Sequence, residues 1–188
     1  MNKYMNIFKI LKKIYMKIRI SCLKKVGKNF IFDPFSQIIY PEYFTAGNDV
    51  FIGPEAYISA EVDFLDNVMV GPRLTMIGGD HKFGVKGKLT RFLINEESPS
   101  NKIIVGKDCW IGANVTVLKG VEIGHGAVIG AGSIVTKSIA PYTIAYGVPC
   151  RSMKNIFETD EILKEHLQIL GYDNHLINEI FQKRTLLK

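Results

Sequence analysis

From Val105 onward the chain divides into blocks of six, VGKDCW IGANVT VLKGVE IGHGAV IGAGSI VTKSIA, and a branched aliphatic residue opens every block. Neither common element repeats at this interval, because a helix shows its apolar face every ~3.6 residues and a half-buried strand every ~2.0. Val105, Ile111, Val117, Ile123, Ile129 and Val135 hold the register without a slip, and Gly106, Gly112, Gly124 and Gly130 follow four of them. An earlier tract keeps the same step through Ile52, Ile58, Phe64, Val70 and Met76. A chain that lays down a short strand, turns a corner and does this three times per circuit meets the requirement. Residues three blocks apart then stack, with strands ~4.8 Å apart up the pile. The spacing therefore predicts a parallel β-helix of triangular section. The residue opening each block points inward, and glycine or another small residue accommodates the bend at the corner. The fifth position packs inward as well: Ala56, Val62, Val68, Leu74, Cys109, Val115, Val121, Ala127, Ser133 and Ile139 occupy it, and none is charged. Cys109 is accordingly read as a small buried filler rather than a nucleophile.

Between the tracts the register fails, since Met76 and Val105 are 29 positions apart and 29 is not a multiple of six. An excursion leaves the prism there, over residues 78–104, and it is polar and charged after Gly78. A loop this long in a compact repeat is usually functional or disordered. Its conspicuous chemical residue is His81. Taken alone, a loop histidine is more often a surface residue than a catalyst.

Charge separates the N-terminus from the rest. The net charge of +6 comes from 24 basic and 18 acidic residues, but Lys3, Lys9, Lys12, Lys13, Lys17, Arg19, Lys24, Lys25 and Lys28 all precede the first acid, Asp33. Within this segment Ile7, Leu11, Ile14 and Ile18 recur at helical spacing, with Phe8 and Tyr15 beside them and lysines at most other positions. A basic amphipathic helix is expected. It either packs on the main domain, the preferred reading, or attaches to an anionic membrane surface or a partner. No aromatic-basic patch or nucleic-acid motif accompanies the charge, so nucleic acid is not an expected partner. No apolar run approaches the ~20 residues of a spanning helix, and no signal peptide is evident. The three cysteines, Cys22, Cys109 and Cys150, are odd in number and far apart, which points to a reduced, cytoplasmic protein without structural zinc.

The sixfold tracts, GGDHKF in the excursion, DCWIGANVTVLKGVEIGHGAVIGAGSIVTKSIAPYTIAYGVPCR after it and the GVPCR ending together resemble the hexapeptide-repeat acetyltransferases. The similarity spans about residues 46–155. It is strongest to sugar O-acetyltransferases of the galactoside and maltose type, and above all to the smaller branch that decorates lipopolysaccharide or capsular sugars. The resemblance implies a left-handed parallel β-helix, although periodicity fixes no hand and the usual crossover preference is right-handed. It also implies acetyl-CoA as cosubstrate, no metal, and a homotrimer with active sites between subunits. His81 matches the family's general base, and an imidazole with an ordinary pKa near ~6.5 suits removal of a hydroxyl proton near neutral pH. Ala113 and Ala131 match positions of backbone contact to the cosubstrate. Thr136 and Lys137 match its TK corner, and Arg151 matches the arginine after GVPC that reaches phosphate. Lys154 falls where some relatives carry a second arginine, and an ammonium binds less directionally. Transfer is expected to be direct, within a ternary complex.

Other residues admit two readings. Trp110 either lines the cleft near His81, which we prefer, or packs beneath the excursion. Asp80 either orients His81 or tightens its turn, and Asn114 is equally open. His125 is read as a solvated corner, and His166 and His175 as surface residues. The basic helix replaces an acidic segment of the galactoside type, so a membrane-linked glycan suits the chain better than a free galactoside. The expected layout is a basic N-terminal helix region over 1–30, the β-helix over 31–155 and C-terminal helices over 156–188. The first C-terminal helix should be opened by Thr159 and stopped at Gly171, and the second capped near Asp173. Transfer to an amino sugar or an antibiotic, and a purely structural prism, stand as alternatives. A histidine-zinc anhydrase does not, because the repeats hold only His81 and His125.

Overall fold

The computed structural model describes residues 2–79, 81–93 and 101–187, and of residues 2–9 only the backbone. A helix, α1 (Asn2–Ser21), precedes the coils. The first coil comprises β1 (Lys25–Val26), β2 (Ile31–Phe32) and β3 (Gln37–Ile38), and the second β4 (Phe44–Ala46), β5 (Phe51–Ile52) and β6 (Tyr57–Ser59). The third holds β7 (Val62–Phe64), β8 (Met69–Val70) and β9 (Thr75–Ile77). After the excursion come β10 (Ile103–Val105), β11 (Trp110–Ile111) and β12 (Thr116–Leu118), then β13 (Glu122–Ile123), β14 (Val128–Ile129) and β15 (Ile134–Val135). A sixth coil starts with β16 (Thr143–Gly147), which folds back as an antiparallel hairpin with β17 (Cys150–Asn155). Two helices, α2 (Asp160–Ile169) and α3 (Asn174–Leu186), end the chain.

The strands form three parallel faces. Face one stacks β1-β4-β7-β10-β13, face two β2-β5-β8-β11-β14-β16 with β17 at its edge, and face three β3-β6-β9-β12-β15. Most coils keep the 18-residue circuit of three blocks, as in the pairs Ile52 with Val70 and Ile111 with Ile129. The first coil is looser, pairing Ile31 with Phe51, and the last is tighter, pairing Val128 with Ile144. Met76 pairs with Val117, 41 positions on, so the excursion adds 23 residues to its coil without disturbing the stack. The coils begin at Lys25, and β10 has rejoined the prism by Ile103.

Every residue expected at the first and fifth positions of the blocks, from Ile52 to Ile139, is buried. The lower coils add aromatic mass, with the rings of Phe30, Phe44 and Phe64 tilted against one another at centroid distances of 5.8 and 5.7 Å. The corners are built differently from the sequence expectation. The left-handed conformation falls at the fourth position of a block, at Asp49, Glu55, Asn67, Arg73, Asp108 and Asn114 with φ of 56–61°, and at Gly126 and Gly132 higher up. The second-position glycines serve a different purpose. A Cβ on Gly106 would lie 2.6 Å from the His125 amide nitrogen, and one on Gly112 would lie 2.7 Å from that of Ala131. Those glycines let successive coils approach, while short polar residues, which tolerate left-handed backbone best, take many of the bends.

The ends are closed by the helices. Thr159 and Asp173 cap α2 and α3, accepting from the Ile162 and Leu176 amides, and Gly171 adopts φ +75° between them. Leu163, Leu167, Ile177 and Ile180 pack around Tyr142, and Lys183 pairs with Glu122 on face one. At the other end Met16, Ile20 and Leu23 pack on the core, and Arg19 donates to the Pro34 and Ser36 carbonyls at 2.7 Å each. The Arg19 guanidinium also lies over the Phe32 ring, 4.9 Å from its centroid. The sequence stripe Leu11, Ile14 and Ile18 does not make this contact: all three are exposed. The helix docks by another side, whose apolar content is too sparse to stand out from the flanking lysines.

Candidate active site

His81 stands just beyond β9, at the root of the excursion and at the corner between faces three and one. Its ring is exposed, and Nδ1 lies 3.4 Å from the Leu93 carbonyl oxygen. A carbonyl only accepts, so this contact requires the proton on Nδ1 and leaves the Nε2 lone pair free in the neutral ring. The His81 ring is thus oriented by a backbone carbonyl further along its own loop. Sequence reasoning missed Leu93, since a backbone carbonyl leaves no mark in residue type. Asp80, the other candidate for that role, lies outside the described residues.

The return of the excursion is pinned by charge. Lys102 bridges Asp63 at 2.9 Å and Glu61 at 3.1 Å, both on or beside the coil below. Hydrogen bonds to these two carboxylates hold its ammonium above the ordinary lysine range.

The remaining candidates bracket face three. Ala113 and Ala131 sit one above the other at the corner between faces two and three, where Gly132 donates to the Ala113 carbonyl. Thr136 and Lys137 follow β15 at the corner between faces three and one, two coils above the root of His81. All three polar or charged tips in this group, with Arg151, are exposed. Arg151 is the second residue of the return strand of the hairpin, opposite Tyr146, and its Nη1 donates to the Cys150 carbonyl at 2.8 Å. The hairpin is fixed from beneath by Ser133, whose hydroxyl donates to the Gly130 carbonyl and accepts from the Gly147 amide. Asn114 is tied rather than free, accepting from Arg73 Nε at 2.6 Å.

Trp110 is not on this face. It points outward from β11 on face two and is 53% exposed. It belongs to an outward ladder of register partners, Ile31, Phe51, Met69, Trp110, Val128 and Ile144. An apolar row of that length on an open face marks an interaction surface.

Three side chains differ from expectation or decide a question. His125 is buried rather than solvated, because Nδ1 accepts from the Lys107 amide at 3.0 Å across one coil. Burial, with the nearby Lys183 charge, holds its pKa below the ordinary value, so it serves the corner as a neutral ring. His166 is half-buried, its ring 4.8 Å from that of Phe157, while His175 is exposed. Cys109 is buried with Sγ 3.1 Å from the Gly124 carbonyl, and burial pushes its thiol up to about 12. A thiol of that kind is no nucleophile. A chromogenic disulfide reagent should therefore titrate one fast thiol in the native protein, Cys22, and three after denaturation. A fast thiol persisting in Cys22→Ser would contradict this assignment. Among the described residues no group of three or more His, Cys, Asp or Glu side chains is placed to hold a metal ion.

A solenoid of hexapeptide coils with a histidine-bearing loop and a basic hairpin defines a class, and comparison with known proteins identifies it. Residues 102–137 match the family model described as the hexapeptide repeat of succinyl-transferase. The galactoside O-acetyltransferase of Escherichia coli K12 is 36% identical over 144 residues, covering 72% of this chain and 66% of that protein. WcaF of the same strain, named as an acetyltransferase of colanic acid biosynthesis, is 29% identical over 138 residues, with 72% and 71% covered. A solved galactoside acetyltransferase in complex with coenzyme A superposes with a TM-score of 0.58 at 30% identity, covering 78% of this chain and 72% of that one. The chain belongs to the hexapeptide-repeat acetyltransferase family. It spans about two thirds of the E. coli galactoside enzyme's length.

Proposed function

We propose that the protein transfers an acetyl group from acetyl-CoA to a hydroxyl of a sugar or glycan intermediate, acting as a homotrimer in the cytoplasm. The observation that carries this reading is His81 at the root of the excursion, with Nδ1 facing the Leu93 carbonyl and no hydrogen-bond partner for Nε2 among the described residues. The acceptor hydroxyl gives its proton to Nε2 as its oxygen forms a bond to the thioester carbonyl carbon. Collapse of the tetrahedral adduct breaks the carbon–sulfur bond, and the imidazolium returns the proton to the departing thiolate. No acyl-enzyme is needed, in keeping with the inert Cys109.

The chain's residues suit the cosubstrate. The small side chains of Ala113 and Ala131 leave backbone accessible along one corner, and the exposed Lys137 and Arg151 supply cations for phosphate. A trimer accounts for the separation of Trp110 from His81. If face two of one subunit meets face three of its neighbour, the indole of one chain reaches the histidine of another, and the apolar ladder is covered. Similarity to galactoside and colanic acid acetyltransferases supports a sugar hydroxyl as acceptor.

Titration calorimetry with acetyl-CoA tests the reading without knowledge of the acceptor. Arg151→Ala should weaken binding by about ten- to a hundredfold, the scale of a charged hydrogen bond. A panel of sugar hydroxyls then tests for His81-dependent transfer. Absence of acetyl-CoA binding by the folded oligomer would remove the acetyltransferase reading altogether.

A further inference from the structure

The outer side of α1 is a surface without a partner. At 100° per residue Leu11, Ile14 and Ile18 fall within roughly 60° of arc, and Met16 and Ile20, which dock on the first coil, lie roughly 150–170° away from its centre. The broader apolar stripe therefore faces away from the protein: Leu11 is 58%, Ile14 52% and Ile18 59% exposed, and the exposed Ile10 widens it. Lys17 lies roughly 90° from its centre on one side, and Lys13 and Lys12 lie roughly 130° away on either side, towards the docking face; all three are exposed and without an acidic partner among the described residues. Arg19 anchors the base of the helix to the Pro34 and Ser36 carbonyls, so the stripe is held in a fixed direction.

We infer that this face of α1 binds the surface of an anionic lipid bilayer. An apolar stripe edged by lysines matches a helix lying in the interface, its side chains among the acyl chains and its ammonium groups at the anionic headgroups. No helix among the described residues is long and apolar enough to cross a membrane, so the contact is peripheral. Charge chooses between lipid and a second copy of the chain. Nine bases precede the first acid and α1 contains no acid at all, so pairing two such helices sets lysines against lysines with nothing to offset them. The inference stands apart from acetyl transfer, but it bears on it: a membrane-held enzyme meets acceptors that are themselves lipid-linked.

Vesicle co-sedimentation of the full chain tests it, using phosphatidylcholine alone and phosphatidylcholine with about a third phosphatidylglycerol. The protein should pellet with the anionic vesicles, several-fold less with neutral ones, and less as salt is raised. Leu11→Ser/Ile14→Ser/Ile18→Ser and, separately, Lys13→Glu/Lys17→Glu should each lower partitioning by about tenfold or more. Both should keep the wild-type unfolding midpoint and acetyl-CoA affinity, because the altered side chains are exposed and belong to neither the core nor the proposed site. Failure of the wild type to pellet, or retention of binding by either variant, would overturn the inference. So would a serine variant that yields smaller particles in light scattering while the wild type ignores vesicles, since the stripe would then pack on another copy.

Discussion

Replacing His81 with alanine lowers turnover by about a hundred- to ten-thousand-fold while acetyl-CoA binds as before. The size is that of losing a positioned general base. The unchanged affinity follows from placement, because His81 leaves the coil below the corners that carry Ala113, Ala131, Thr136 and Lys137. Its ring is exposed, and among the described residues its hydrogen-bond contact is the long one to the Leu93 carbonyl, so stability should shift by no more than about 0.5 kcal/mol. Thiol release in the presence of a sugar acceptor, read beside calorimetric binding, separates the possibilities. Loss of turnover with binding intact supports a base. Equal loss of both would make His81 a scaffold for the loop, and turnover within about tenfold of wild type would place the base elsewhere.

The prism was legible because its rule is strictly periodic: one side chain in six faces the axis, and a wrong register would have put Lys107 or Glu122 inside. The cause of the second-position glycines was not legible, since the sequence records that a residue is small but not whether a bend or a neighbouring coil demands it. Only coordinates distinguish the ordinary φ and crowded Cβ position of Gly106 from the left-handed φ of Asp108 two residues later. The repeat register does not reach the first coil, because its 20-residue circuit, from Ile31 to Phe51, breaks the period of six. For the site, motif matching located residues one by one but could not say which share a face. Ala113, Ala131, Thr136 and Lys137 border face three, whereas Trp110 belongs to face two, and that division is set by corners rather than by sequence distance. The docking side of α1 is not legible for a related reason. The stronger apolar stripe is exposed, and docking is carried by Met16, Ile20 and the two carbonyl contacts of Arg19.

Phe64→Ala should cost about 3–5 kcal/mol of unfolding free energy, out of the ~5–15 kcal/mol usual for a domain. The ring is buried within the prism, 5.7 Å from that of Phe44, and rigid parallel coils above and below cannot collapse into the space it leaves. Phe64→Leu keeps most of the volume and should lose less. In a stack whose coils touch only their neighbours, damage of this kind is local before it is global. Amide exchange should quicken first in β4, β7 and β10, because Phe64 is the register partner of both Ala46 and Val105. That location ties stability to chemistry. Val105 ends the strand on which the excursion returns, and Lys102, two residues before Ile104, is clamped to Asp63 beside Phe64. Loosening this coil frees one end of the loop whose other side holds His81 through Leu93, so activity in Phe64→Ala should fall at temperatures below its own unfolding midpoint. A loss under about 1 kcal/mol in denaturant titration would mean that the aromatic stack is not close-packed. Activity that tracked the unfolding curve would mean that the loop keeps its geometry without the coil beneath it.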